Sequence, residues 1–96
     1  MTSPNTIATA KVRVLNENGL HARPSALIAQ TAKKFDCEIE ISSAEGRVNA
    51  RSIMGLITLC AFQGTEMQIW ARGHDAQPAV QAIADLFNNA FDEAYK

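Results

Sequence analysis

Alternation of apolar and polar positions marks four strands along the chain. From Ile7 to Leu15, Ala10, Val12 and Val14 alternate with Lys11 and Arg13, which predicts a first strand with one inward face. Cys37, Ile39 and Ile41 alternate with Glu38, Glu40 and Ser42. Beyond a turn at Ala44, Glu45 and Gly46, Val48 and Ala50 alternate with Arg47 and Asn49, so the two runs read as a β-hairpin. After a Gln63-Gly64 turn, Met67, Ile69 and Ala71 alternate with Glu66, Gln68, Trp70 and Arg72, and Gly73 stops this fourth strand.

Helical spacing fills the intervals. Ile28, Ala32 and Phe35 recur on one face, predicting a helix from Ala22 to Phe35 with Pro24 in its first turn, where a missing N–H costs nothing. Ser52 precedes the short apolar segment Ile53 to Leu59, read as a helix that Ser52 caps, with a buried strand as the competing reading. Asp75 is placed to cap a final helix whose stripe is Val80, Ile83, Phe87, Ala90 and Ala94. The order is therefore βαββαβα. Because every strand has one apolar and one polar face, a largely antiparallel sheet with helices on one side satisfies the pattern, an α+β fold.

At 96 residues the chain fits one domain, 1–96, with the polar, Pro4-containing residues 1–6 as a loose arm. A hydrophobic fraction of 47% with 20% charged residues excludes disorder, and no internal repeat is present. The net charge of −1 argues against salt-driven binding to nucleic acid or an anionic membrane, so any anion must be recognised locally. The apolar run Ile53 to Phe62 is far shorter than the roughly 20 residues of a membrane span. The start lacks the pattern of a secretory signal, so a cytoplasmic protein is expected. Cys37 and Cys60 form no C-x-x-C pair and read as two buried thiols. With two His and two Cys at no ligand spacing, no metal site is expected, and no nucleophile elbow supports a hydrolase. Trp70 alone on the wet face of the sheet lacks the aromatic and basic platform that RNA binding uses.

The stretch Gly19-Leu20-His21-Ala22-Arg23-Pro24 carries the candidate chemistry. It sets a titratable imidazole at the start of a helix whose first N–H groups are unpaired, a place that favours anions. A phosphoryl group on that ring would lie near those amides and near the Arg23 guanidinium. Read bottom-up, a surface histidine that merely starts a helix is the alternative. His74 has no comparable setting and is read as a loop residue.

Gly19-Leu20-His21-Ala22-Arg23-Pro24-Ser25 resembles the active-site signature of the histidine-containing phosphocarrier (HPr) family of the phosphoenolpyruvate-dependent phosphotransferase system. Val48 to Leu56 is similar to that family's regulatory serine region, and Gln63-Gly64-Thr65-Glu66 and Gly73-His74-Asp75-Ala76 resemble its later turns. The resemblance implies an open-faced β-sandwich of four antiparallel strands with three helices. It implies that His21 accepts a phosphoryl group on Nδ1 from enzyme I and passes it to an EIIA-type domain, that Arg23 steadies the phosphate, and that no cofactor takes part. It also implies that Ser52, besides capping the helix, is the target of an HPr kinase/phosphorylase. Leu20, Ala22, Leu27, Ile53, Met54 and Ile57 are the residues it points to for partner docking, on a protein acting as a monomer. The alternative is a chiefly regulatory module, nitrogen-related or in carbon catabolite control, that binds partners according to its phosphorylation. Cys60 departs from the family's usual small residue, which bears on local packing.

Overall fold

The computed structural model describes residues 2–93. The elements follow the predicted order: β1 (Ile7–Arg13), α1 (Ala22–Ala32), β2 (Glu38–Ser43), β3 (Gly46–Asn49), α2 (Ile53–Thr58), β4 (Glu66–Arg72) and α3 (Ala76–Asn88). The strands lie in the order β1-β4-β2-β3, and every neighbouring pair is antiparallel. The chain thus makes two interleaved crossovers: α1 carries it from β1 past β4 to β2, and α2 carries it from β3 past β2 to β4. Alternation sends Ala8, Val12, Ile39, Ile41, Met67, Ile69 and Ala71 to the covered face. There they meet Ile28 and Ala32 of α1, Leu56 of α2, and Ala79, Val80, Ile83 and Phe87 of α3. The open face carries Trp70 between Thr9 and Glu40 in register, with the Arg72 guanidinium 5.9 Å from the indole centre.

Four sequence expectations need correction. The helix expected to reach Phe35 ends at Ala32, because the Arg51 guanidinium takes the carbonyls of Ala32 (3.0 Å) and Phe35 (2.7 Å) and closes the end with a cation. Asp75 does not cap α3 with its side chain; its carboxylate instead accepts the Asp36 N–H at 2.9 Å, tying the start of α3 to the entry of β2. The final stripe breaks at Asn88: Ala90, Phe91 and Asp92 all have positive φ, so Ala90 is buried in a separate turn, and Ala94 lies outside the described residues. The thiols are not both buried. Cys37 is half-buried, and Cys60 is exposed in the loop after α2 with φ of 49°.

The stretch before β1, expected as a loose arm, contains a local turn in which the Ser3 N–H donates to Thr6 Oγ1 at 2.8 Å. More important for function is what the topology brings to one end of the sheet. β1 ends where β4 begins, since Arg13 pairs with Glu66, and α3 runs back from Arg72 toward that same end. The loop 14–21, the loop 59–65 and the turn after α3 therefore converge there.

Candidate functional site

The loop 59–65 pins the segment 14–21, which presents His21. Val14 N–H donates to Thr65 O, Gly64 N–H to Val14 O, and Leu20 N–H to Ala61 O. Gly19 lets them close: its φ is 68°, and a Cβ there would stand 2.3 Å from Ala61 O, so no other residue fits without displacing that loop. His21 is the N-cap residue of α1, in extended conformation, and no side chain caps the helix. The amides of Ala22 and Arg23 head the helix, and Pro24 follows in the first turn with no N–H to satisfy, as expected. Ser25 is buried and donates its hydroxyl to Leu20 O at 3.3 Å, which ties the signature's last residue back to the loop.

The ring of His21 is half-exposed and is held from one side. Its Nε2 lies 2.8 Å from Glu93 Oε2. Arg23 Nη1 donates to the same oxygen at 3.1 Å and to Phe91 O at 2.8 Å. The other carboxylate oxygen accepts from the Asn16 amide at 2.9 Å, and Asn16, fully buried, donates also to Gly19 O at 2.8 Å. Burial by itself pushes the Glu93 carboxyl up. The Asn16 hydrogen bond, the His21 hydrogen bond and charge, and the Arg23 hydrogen bond outweigh it, so Glu93 titrates below the ordinary carboxylate range. Sequence reasoning missed Glu93 and the contact Asn16 makes to it. Nothing in local pattern signals either, because Glu93 reaches His21 across 72 positions.

Ser52 caps α2, as predicted: its Oγ accepts the Gly55 N–H at 2.9 Å. α1 and α2 pack on each other. Of the residues expected to dock partners, Met54 is 69% exposed and Ile53 39%, and Ala22 is exposed, whereas Leu27 and Ile57 are half-buried. Leu20 needs correction: at 4% exposure it belongs to the core and offers a partner no area, because the loop contact with Ala61 turns it inward. Phe62, which the pattern analysis passed over, is 76% exposed, and its backbone lies against Gly19. His74 stands in the loop before α3, 3.5 Å from Thr2 Oγ1, remote from His21.

A half-exposed imidazole at an uncapped helix start, with a guanidinium beside it on an open-faced α+β sandwich, has the build of a small anion-handling carrier. Comparison with known proteins identifies the family. The family model "PTS HPr component phosphorylation site" matches residues 8–89, so the chain belongs to the HPr family, the phosphocarrier proteins of the phosphotransferase system. The phosphocarrier protein HPr of Treponema pallidum is 48% identical over 82 residues, 85% of this chain and 93% of that protein. That of Xylella fastidiosa (strain Temecula1) is 42% identical over 83 residues, 86% and 93% of the two chains. A crystal structure of HPr from Thermoanaerobacter tengcongensis superposes with a TM-score of 0.86 at 39% identity, covering 91% of this chain and 98% of that one. The chain is accordingly a phosphoryl carrier and not an enzyme. Among the described residues no helix is long and apolar enough to cross a membrane.

Proposed function

We propose that His21 is the phosphoryl acceptor and donor, that it is charged by phospho-enzyme I, and that it discharges to an EIIA-type domain in the cytoplasm. The observation that carries this reading is the placement of His21 at the uncapped start of α1, with Arg23 two residues on in its first turn. A phosphoryl group on Nδ1 needs neutralising charge and donors. The first amides of α1 and the Arg23 guanidinium supply both, the latter by exchanging Glu93 for the phosphate oxygens. A phosphohistidine suits a relay because its P–N bond is labile and imidazole is a good leaving group. Incubation with phosphoenolpyruvate and enzyme I is expected to add one acid-labile, alkali-stable phosphoryl group by intact mass. Labelling of His21→Ala at the wild-type level would remove the reading.

Regulation at Ser52 by an HPr kinase/phosphorylase is the second part of the proposal. A phosphate there adds about −1.5 to −2 charges beside the exposed Ile53 and Met54, stabilising the start of α2 while opposing an acidic partner surface. Stoichiometric phosphorylation of Ser52 is expected to slow transfer from enzyme I to His21. Unchanged transfer would leave Ser52 as a helix cap alone.

A further inference from the structure

Glu93 lies beyond residues 8–89, the part of the chain that matches the family model, yet it makes the shortest polar contact to the His21 ring. Its carboxylate is mostly buried and is held at both oxygens, by Asn16 on one and by His21 and Arg23 on the other. An ionised carboxylate only accepts hydrogen bonds, so at 2.8 Å the ring nitrogen facing it must carry the proton. In a neutral imidazole that leaves Nδ1 unprotonated, with its lone pair available.

From this geometry we infer that Glu93 is a positioning residue that fixes His21 as the Nε2–H tautomer and stabilises the charge the ring gains on phosphorylation. The inference rests on His21 being the phosphoryl acceptor. In the step it describes, the Nδ1 lone pair forms the new P–N bond while the donor's bond to phosphorus breaks and its electron pair leaves with the donor group. No proton moves at His21. The ring retains its Nε2 proton, becomes a phosphoimidazolium, and its positive charge develops 2.8 Å from the Glu93 carboxylate. The turn that delivers Glu93 is costly: Ala90, Phe91 and Asp92 are three consecutive non-glycine residues in left-handed backbone, where Cβ crowds the following carbonyl oxygen. Phe91, 1% exposed, and the bond from Arg23 to Phe91 O hold that turn in place. Conformational preference works against the turn, and its packing aims the carboxylate at the ring.

The test reads tautomer and transfer separately. Ring nitrogen NMR of the unphosphorylated protein, at a pH where His21 is neutral, is expected to give a protonated Nε2 and an unprotonated Nδ1 near their limiting shifts. Glu93→Ala should move both toward the tautomer average of a free imidazole. It should also slow phosphoryl transfer to His21 about tenfold, the low end for the loss of an orienting partner. Glu93→Gln, which retains an accepting oxygen without the charge, should keep the Nε2 proton and fall between the two in rate. Backbone amide spectra of both variants control for folding. Unchanged ring shifts in Glu93→Ala, or transfer at the wild-type rate in both variants, would overturn the assignment. Failure of the wild type to take a phosphoryl group, with the ring shifts as expected, would instead overturn the reading of His21 as acceptor.

Discussion

One carboxylate organises the residues around His21. Glu93 faces the imidazole, the Arg23 guanidinium and the Asn16 amide, and together these hold it below the ordinary carboxylate range although burial opposes its charge. The linkage has a definite sign. A carboxylate whose folded value lies below its unfolded value adds stability that is complete above the ordinary range and is lost as pH falls through the depressed value. Wild type is therefore expected to exceed Glu93→Gln in stability near neutrality, and the gap should close on the acid side of the ordinary carboxylate range. Urea unfolding of both proteins over a pH series measures this; a gap that persists unchanged into acid contradicts the depressed value. Legibility was uneven at this scale. His21, Arg23 and Ser52 stand in local motifs beside helix starts, so the chain around them announces their setting. Glu93 and Phe62 have none, since their approach to Gly19 and His21 is made by the fold alone.

Among the elements, α2 depends on a glycine for reasons of space. A Cβ on Gly55 would stand 2.9 Å from Ser52 Oγ and 3.2 Å from Val48 Cβ, so the cap and the packing of α2 on β3 both need its absence. A helical glycine replaced by alanine ordinarily gains about 0.5–1 kcal/mol. Here Gly55→Ala is expected to lose about 1–2 kcal/mol, through the displaced Ser52 cap and local overpacking. A stabilised variant in chemical denaturation would show that Ser52 moves aside freely. Strand and helix identities were readable because period-2 and helical spacing are local properties. Element ends were less so: α1 stops at Ala32 under the pull of Arg51, and Asp75 turns from its expected cap to the amide of Asp36, both long-range contacts.

For the molecule as a whole, the interleaved crossovers matter because they return the chain three times to one end of the sheet. The histidine loop, the loop carrying Phe62 and the turn carrying Glu93 meet there, and the apolar lock on the last is Phe91, packed edge-on against Phe87 at 4.9 Å between ring centres. Phe91→Ala is expected to cost about 3–5 kcal/mol of stability by emptying that space. It should also release Glu93 from His21, so that a stability loss without any change in the His21 ring signals would uncouple the turn from the site. The sheet and its order of elements were open to pattern reading, whereas the convergence of distant segments was not, because hydrophobic periodicity says which face is buried and not which loops become neighbours. The proposed chemistry, with the phosphoryl group on His21 Nδ1 and Glu93 on the far side of the ring, is read directly in the charged protein. After charging with enzyme I and phosphoenolpyruvate, phosphorus–nitrogen correlation by NMR should place the bond at Nδ1 of His21 and leave a proton on Nε2. A phosphoryl group found on Nε2, or on any other residue, would contradict it.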